Sequence, residues 1–418
     1  MKYIIKGGKK LSGEVTLSGN KNSVLPCMAA ALLTKEEVVL ENVPEITDVD
    51  VFVEIFEKLG VEVFRDKDRL SICARKIDNM VLPDNLVKKL RASVLLAGPI
   101  AVREKKVSFG FPGGDLIGKR SIDVHLQGFK ALGASISIDN SLYTILFNQK
   151  KPGKKIRIFL EEASVTATEN LILASVVGEY EVTIRNVAME PHVVDLCNLL
   201  SKMGAKIAGT GTNLLIISGV NKISGTTFRV SDDHIHFGTY AIAAATTKSK
   251  LKILTKKETD LEPIIFFLSK FGVNFKWEEG GYLVSAGKLL SVEKVVTNIW
   301  PGFPTDLMSL VIVLATQVKG MTLCHDWMFE SRMLFVEKLI KMGANINISD
   351  ANRVFVTGPS QFTGKELESS DIRSGMALVL AALIAKDVST INKAELIERG
   401  YEDVVGKLSK LGANIRKA

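Results

Sequence analysis

Cations recur in this chain at places where a helix is predicted to begin. Lys21, Arg91 and Arg373 lie in the loops "GNKN", "KKLRAS" and "SSDIRS", each of which precedes an apolar segment with helical character. Free backbone N–H groups and the helix dipole make a helix N-terminus positive, so a cation there is unfavourable unless an anion offsets it. Neutral or acidic residues at the same place would be explained as ordinary caps. The cations therefore predict a site for phosphate or carboxylate ligands.

Two carboxylates lie where they could move protons beside such a ligand. Asp115 lies in the glycine-rich segment "FPGGDLIGKR", where it is either part of an ordinary turn or the donor of a proton to a bound anion. Asp306 in "FPTD" comes at another predicted helix start, where an ordinary helix cap explains it. Residue types alone leave both alternatives for Asp115 open.

The elements that must position these residues repeat six times. Six segments, such as "FEKLGVEV" and "LSKLGANI", combine the end of an amphipathic helix, a glycine and a β-rich strand. Glycine there suits the left-handed conformation that ends a helix. A second, Ala- and Leu-rich helix in each unit is apolar on nearly all sides and is predicted to be buried. The glycines, roughly 70 residues apart, are Gly60, Gly133, Gly204, Gly272, Gly343 and Gly412.

The repeat predicts an α/β (α+β) fold with helices packed behind mixed sheets. A chain of 418 residues is too long for one core, so we expect two lobes of three units each. The first strands are expected to complete the second lobe, because "LSGEVTLSG" near the N-terminus resembles "ISGTTFRVS" just before residue 232. The predicted lobes are residues 20–229, and residues 1–19 together with 230–418.

Composition restricts the class of ligand. The net charge is +8, but Lys and Arg are spread along the chain without an aromatic RNA-binding motif or a helix-turn-helix signal, so anionic small molecules are favoured over nucleic acid. No apolar segment reaches the ~20 residues that a membrane span needs, and no signal peptide is predicted. Four dispersed cysteines without a C-x-x-C pair predict a reducing, cytoplasmic location and no metal site.

Long motifs in the expected order resemble the enolpyruvyl transferases over residues 4–415. They are "LSGNKNSVLPCMAAALLT", "FPGGDLIGKRSIDVHLQGFKALGA", "FPTDLMSLV", "MFESRMLFVEKLIKMGA" and "ERGYED". The "PGGxxIGxR" loop, which the shikimate branch lacks, favours the branch that acts on a nucleotide sugar. The resemblance implies a two-lobed inside-out α/β barrel of six βα repeats, three per lobe.

The resemblance also implies an activity. It is transfer of the enolpyruvyl group of phosphoenolpyruvate to the 3-hydroxyl of UDP-N-acetylglucosamine with release of phosphate, the first committed step of peptidoglycan synthesis, without cofactor or metal. The alternative is a non-catalytic or altered-acceptor paralogue that binds a nucleotide sugar.

Roles for individual residues follow from the same resemblance. Asp306 is implied to accept the proton of the sugar hydroxyl, and Asp115 to protonate C3 of phosphoenolpyruvate or to assist product release. The residues implied to bind phosphoenolpyruvate are Lys21, which also counts as catalytic, Asn22, Arg120, Arg332, Arg373 and Arg399. Those implied to bind UDP-N-acetylglucosamine are Arg91, Arg120, Ser121, Ile122, Asp123, Val124, Ser164, Val165, Thr166, Asp306 and Met328.

Two departures from the family pattern are specific to this chain. The family commonly has Cys where Asp115 stands, and the epoxide fosfomycin inactivates that common form by alkylating the thiol, so we expect resistance here. Family members often read Asp-Arg-Ile-Glu where this chain has "DHIH". His234 and His236 thus stand where the family has Arg and Glu, which leaves room for an altered acceptor preference.

Overall fold

The computed structural model describes residues 1–115, 117–118, 120–147, 153–256 and 259–418, and all elements below belong to these residues. Contacts between residues divide the chain into two compact units, each of which is described by itself. Unit 1 comprises Met1–Ser18, Asp115–Lys119 and Asp232–Ala418, and unit 2 comprises Gly19–Gly114 and Arg120–Ser231. Each unit has its own hydrophobic core.

The strands are short, as expected where turns follow every few residues. In chain order they are β1 (Lys2–Lys6), β2 (Ser12–Thr16), β3 (Val38–Glu41), β4 (Glu62–Asp66), β5 (Arg69–Cys73), β6 (Lys106–Gly110), β7 (Ala134–Asp139), β8 (Leu142–Phe147), β9 (Lys155–Phe159), β10 (Glu181–Arg185), β11 (Lys206–Ala208), β12 (Leu214–Ser218), β13 (Thr226–Arg229), β14 (Lys250–Leu254), β15 (Val273–Glu278), β16 (Gly281–Ala286), β17 (Lys294–Val296), β18 (Gly320–His325), β19 (Asn345–Ile348), β20 (Arg353–Gly358), β21 (Glu366–Glu368), β22 (Val388–Asn392) and β23 (Asn414–Lys417).

The helices connect these strands. In chain order they are α1 (Lys21–Ala30), α2 (Thr47–Lys58), α3 (Asp84–Val87), α4 (Ala97–Glu104), α5 (Asp123–Ala131), α6 (Val165–Ser175), α7 (Pro191–Lys202), α8 (His234–Thr246), α9 (Glu262–Lys270), α10 (Met308–Ala315), α11 (Val336–Met342), α12 (Ile372–Ile384), α13 (Glu395–Glu398) and α14 (Val404–Lys410). Short 3-10 helices span Ala31–Leu33, Arg91–Leu96, Thr305–Leu307 and Arg332–Phe335.

The sheets of the described chain repeat one plan. Five have four strands, in the orders β13-β3-β5-β4, β11-β12-β10-β9, β15-β16-β14-β2, β17-β18-β20-β19 and β21-β22-β1-β23. In each of them one edge strand pairs in parallel and the other pairings are antiparallel. The sixth sheet, β6-β8-β7, has a parallel bridge between Val81 and Ser108 where the other sheets have that edge strand. Three sheets fall in each unit, which is the predicted six-unit repeat.

The N-terminal strands complete sheets whose other strands lie late in the chain. Strand β1 pairs antiparallel with both β22 and β23, and it therefore fills the place that a local hairpin strand fills in the other four-stranded sheets. Strand β2 pairs in parallel with β14, and β13 in parallel with β3. Strands β2 and β13 are therefore both parallel edge strands of their sheets.

The helices have the two predicted characters. The repeat glycines all adopt positive φ, between 82° at Gly60 and 111° at Gly343, which is the left-handed conformation that only glycine adopts without strain. The second helix of each unit is largely buried, and every residue of α8 and α10 is buried. These helices form the cores behind the sheets. Among the residues described, no helix combines the length and the hydrophobicity that a bilayer span requires.

Candidate active site

Asp306 is held by two arginines in unit 1. It lies in the 3-10 turn that leads into α10. Arg332 Nη2 donates to Asp306 Oδ1 at 3.0 Å, while Arg373 Nε donates to Oδ2 at 3.0 Å. Both arginine side chains are buried, at 2% and 4% exposure, whereas the Asp306 side chain keeps 25%. The site therefore combines one accessible carboxylate with two buried cations.

Asp326 fixes the position of this group. Its fully buried carboxylate accepts hydrogen bonds from the backbone N–H of Met328 at 3.0 Å and from the hydroxyl of Thr297 at 3.0 Å. It also accepts from the hydroxyl of Thr305, the residue before Asp306. One buried acid thus connects the turn that carries Asp306 to the loop that carries Met328, and the sequence offered no motif that would have identified it.

Local capping explains how a cation can begin α12. The N-cap Asp371 accepts hydrogen bonds from the backbone N–H groups of Arg373 and Ser374, each at 3.0 Å, and offsets the positive helix end. The Arg373 guanidinium lies 5.3 Å from the ring centroid of Tyr401. Burial disfavours the charged guanidinium, but Asp306 and the neighbouring acids outweigh it, so the pKa of Arg373 is raised.

The two arginines retain hydrogen-bonding capacity. Arg332 Nε and Arg373 Nη1 are buried, and neither has a hydrogen-bond partner among residues 1–115, 117–118, 120–147, 153–256 and 259–418. Arg332 Nε lies 4.0 Å from Asp326 Oδ2, which is an ion pair at longer than hydrogen-bond distance. Buried donors are normally paired, so unpaired ones require an explanation. An anion at this place would supply the missing acceptors.

Asp115 pairs with Arg399, the arginine of the "ERGYED" motif. The Nη1 atom of Arg399 lies 2.5 Å from Asp115 Oδ1, and both side chains are largely buried at 16% and 17% exposure. The loop that carries Asp115 also contacts the segment before Arg332, because Ser331 N–H donates to the carbonyl of Ile117 at 3.0 Å. The glycine-rich loop thus places a carboxylate on a cation 284 residues away in the chain.

Lys21 and Asn22 begin α1 in unit 2. The N-cap Asn20 accepts a hydrogen bond from Asn22 N–H at 2.9 Å. The Nζ atom of Lys21 lies 2.7 Å from Asp48 Oδ2, and the Asp48 side chain is 2% exposed. Asp48 is a second acid that sequence reasoning missed, since it lies in another helix and its spacing from Lys21 carries no recognisable signal.

Two arginines of unit 2 lie close together. Arg91 Nη2 donates to the carbonyl of Ser121 at 2.7 Å. Burial and then the charge of Arg120 lower the pKa of Arg91 to about 10. Gly114 makes room for both side chains, because a Cβ there would lie 2.9 Å from Arg91 Cβ and 3.0 Å from Arg120 Nη2. Neighbouring like charges are unfavourable without an anion between them, so this pair supports the predicted anion site.

The other residues predicted for the nucleotide sugar lie at the starts of α5 and α6. Ser121 lies just before Ile122, the N-cap of α5, and its Oγ accepts from Asp123 N–H at 3.0 Å. Thr166 Oγ1 lies 3.1 Å from His125 Nε2. The remaining members of the set, in or next to these two helix starts, are Ile122, Val124, Ser164 and Val165.

A buried chain of hydrogen bonds orients Thr166. The Nδ2 of Asn170 donates to His125 Nδ1 at 3.1 Å, which leaves the proton of the imidazole on Nε2, where it can donate to Thr166. Burial, followed by the charge of Arg91, lowers the pKa of His125 to about 3, so the ring is neutral. The Thr166 hydroxyl thus accepts from His125 and keeps its own O–H for another partner.

We expect Asn170→Ala to lower the free energy of unfolding by about 2–4 kcal/mol. Asn170 is fully buried, accepts from Gly98 N–H at 2.7 Å and donates to the carbonyl of Val94 at 2.7 Å. Removal of its amide strands both backbone groups, and urea unfolding measures the cost. The exposed Asn79→Ala is the control, with an expected change below about 1 kcal/mol. Equal changes in the free energy of unfolding for the two variants would contradict the proposed role of this network.

The predicted residues therefore form defined groups in their own units. The structure brings Asp306, Arg332 and Arg373 together, and likewise Asp115 with Arg399 and Arg91 with Arg120 and Ser121. Their roles toward the two substrates are predictions from the sequence. Within the described part of the chain, no group of three or more His, Cys, Asp or Glu side chains is arranged to hold a metal ion.

Comparisons with known sequences cover nearly the whole chain. A family profile described as EPSP synthase (3-phosphoshikimate 1-carboxyvinyltransferase) matches residues 5–408. A UDP-N-acetylglucosamine 1-carboxyvinyltransferase from Borreliella burgdorferi is 45% identical over 99% of this chain and 98% of its own length. A protein of the same name from Treponema denticola is 43% identical over 99% of this chain and 98% of its own length.

Solved structures show the same fold at lower identity. The enolpyruvyl transferase NikO from Streptomyces tendae superposes with a TM-score of 0.86 at 23% identity, covering 99% of this chain and 98% of that one. EPSP synthase from Acinetobacter baumannii gives a TM-score of 0.75 at 17% identity, covering 99% of both chains. The predicted fold class is confirmed by these likenesses.

Proposed function

Because the chain belongs to the enolpyruvyl transferase family, we propose that it transfers the enolpyruvyl group of phosphoenolpyruvate to the 3-hydroxyl of UDP-N-acetylglucosamine. The observation that carries this proposal is the full-length similarity to relatives named for that reaction. Phosphate is the second product, and the enolpyruvyl ether of the nucleotide sugar enters peptidoglycan synthesis. The four free cysteines fit a reducing compartment, which supports a cytoplasmic location for the reaction.

The reaction is an addition followed by an elimination. The sugar hydroxyl loses its proton to Asp306 as its oxygen bonds to C2 of phosphoenolpyruvate. C3 gains a proton from Asp115, which takes that proton from solvent after its separation from Arg399. Loss of a proton from C3 and departure of phosphate from C2 then restore the double bond. Negative charge is present on phosphate and carboxylate throughout, so fixed cations stabilise both substrate and transition state.

The proposed phosphoenolpyruvate residues are all poised as donors. They are Lys21, Asn22, Arg120, Arg332, Arg373 and Arg399, and each side chain carries N–H groups that can donate to an anion. The nucleotide sugar is assigned to the helix starts that contain Ser121 and Ser164, with Arg91 and Arg120 neutralising the diphosphate. Thr166 offers the hydroxyl that His125 orients.

The carboxylates that hold the arginines suggest how binding and chemistry are coupled. Asp306 and Asp115 compensate buried cations, which would otherwise be costly. When phosphoenolpyruvate takes over those cations, its anionic groups replace the carboxylates as acceptors. We propose that this exchange frees Asp306 to receive the hydroxyl proton and Asp115 to act at C3.

We expect purified protein to release phosphate from phosphoenolpyruvate only when UDP-N-acetylglucosamine is also present. The assay contains a chelator and no added metal, and each single-substrate mixture serves as a blank. Shikimate 3-phosphate as acceptor tests for altered preference, and no release is expected with it.

The contrary outcome is equally clear. If calorimetry shows binding of UDP-N-acetylglucosamine but phosphate release does not exceed the blanks, the proposed enzymatic activity is contradicted. The non-catalytic paralogue would then be favoured. That alternative is not favoured at present, because the full-length relatives carry the name of an enzyme.

A further inference from the structure

His236 occupies a central place in a buried part of unit 1. It lies in the first turn of α8, where the N-cap Asp233 accepts hydrogen bonds from its backbone N–H at 3.0 Å. The residue is 3% exposed. Its ring Nε2 lies 2.9 Å from the carbonyl oxygen of Gly400, the residue that follows Arg399. A carbonyl can only accept, so Nε2 carries the proton and donates it.

The same ring supports Tyr401. The imidazole of His236 and the ring of Tyr401 stack with centroids 4.4 Å apart and an interplanar angle of 14°. The hydroxyl of Tyr401 lies 2.8 Å from Thr239 Oγ1. Because Thr239 donates its own proton to the carbonyl of Ile235, Tyr401 is the donor in that contact. Helix α8 thus holds Tyr401 at both its ring and its hydroxyl.

Through these contacts His236 lies behind two of the arginines of the proposed site. Gly400 adjoins Arg399, which pairs with Asp115. Tyr401 packs against the guanidinium of Arg373, which pairs with Asp306. A displacement of residues 399–401 would therefore move one arginine directly and remove the packing surface of the other.

Electrostatics keeps the ring in the form that this geometry needs. Burial lowers the pKa of His236, the charges of Arg373 and Lys407 lower it further, and Asp233 and the bond to Gly400 oppose them. The net direction is down, so the imidazole is neutral at pH 7. A neutral ring with its proton on Nε2 supplies one N–H donor and one flat face.

We infer that His236 is a positioning residue, which aligns Arg399 through Gly400 and Arg373 through Tyr401 and thereby sets the affinity for phosphoenolpyruvate. This inference rests on the proposed function, because it assumes that those arginines bind the substrate. His236 itself makes no contact with the reacting atoms in this scheme. It acts only by holding the segment that carries them.

Two substitutions separate the effect of the N–H donor of His236 from the effect of its aromatic ring. His236→Phe keeps an aromatic ring against Tyr401 but removes the N–H, whereas His236→Gln removes the ring and keeps an amide donor that can reach Gly400. We expect the Phe variant to raise KM for phosphoenolpyruvate about tenfold, the size of one lost hydrogen bond. We expect the Gln variant to keep KM for phosphoenolpyruvate within about threefold of the native value. Kd for UDP-N-acetylglucosamine should be unchanged in both variants.

Phe237→Leu is the control for general disruption of this helix. Phe237 follows His236 in α8, is fully buried, and packs against the rings of Phe275 and Tyr282 at 5.8 and 5.5 Å between centroids. It should leave KM for phosphoenolpyruvate unchanged. Should His236→Phe fold poorly, His236→Asn is compared with His236→Gln. Both side chains are amides, but only the longer Gln is expected to reach the carbonyl of Gly400.

Amide hydrogen exchange of the free protein gives a readout that does not need turnover. Exchange at residues 399–401 should accelerate in His236→Phe and stay native-like in His236→Gln and Phe237→Leu. Native exchange and native KM in His236→Phe would overturn the inference, as would equal effects of His236→Phe and Phe237→Leu. If the native protein shows no activity while exchange responds as expected, the positioning role stands and the proposed substrate falls.

Discussion

Asp306→Asn is expected to lower turnover roughly 10²- to 10⁴-fold, the usual cost of losing a general base. The amide has the same shape as the carboxylate, yet it cannot accept the proton of the sugar hydroxyl. Its oxygen can still accept from one of the two arginines, so the local geometry should largely survive. Steady-state phosphate release at saturating concentrations of both substrates measures the loss, and calorimetry should show Kd for the nucleotide sugar weakened far less.

Loss of charge at Asp306 has a second consequence that must be measured separately. The buried Arg332 and Arg373 lose their shared counter-ion, which costs ~3–5 kcal/mol when a fully buried pair is broken. Because the Asp306 side chain is 25% exposed, we expect a smaller fall in the free energy of unfolding. Asp350→Asn, which breaks a surface pair with Arg353, is the control and should change neither turnover nor stability appreciably. If Asp306→Asn retained near-full turnover, Asp306 would be only a counter-ion to the two arginines.

The native protein is expected to keep its activity during prolonged exposure to fosfomycin, whereas Asp115→Cys should lose it progressively. A carboxylate attacks an epoxide far more slowly than a thiolate does. A cysteine at this position would face Arg399, whose charge favours the thiolate form that reacts. We expect the variant to keep turnover within about tenfold of native, because a thiol can also donate a proton.

The native cysteines provide the control for this experiment. Cys27, Cys197 and Cys324 are buried, which raises the pKa of each thiol and suppresses its reactivity, while Cys73 is partly exposed. Asp115→Cys in a Cys73→Ser background, with peptide mass spectrometry, locates the adduct. Inactivation of the native protein as fast as the variant would show that Asp115 does not occupy the position of the reactive cysteine.

Local signals in the sequence were sufficient to predict the six-unit repeat and the starts and ends of its helices. A glycine after an amphipathic segment reports a left-handed C-terminus, since other residues pay a steric cost there, and Gly60 and Gly412 both have positive φ. A segment that is apolar on nearly all sides, such as α10, indicates burial, because no face of it suits water. Lys21, Arg91 and Arg373 were recognisable for the same reason, as charges placed against the dipole of their own helix.

Only the tertiary structure decided which charges meet. Asp48 compensates Lys21, Asp326 braces the turn before Asp306, and Arg399 pairs with Asp115, yet none of these pairs has a spacing that a periodic element would impose. Strand β1 likewise completes a sheet with β22 and β23 from the opposite end of the chain. Helix and strand periodicities relate residues that are a few positions apart. These contacts join residues that are distant in sequence, and they depend on how the elements pack in three dimensions. The sequence therefore determined the parts and their order, and the packing of those parts determined the partners of each charged group.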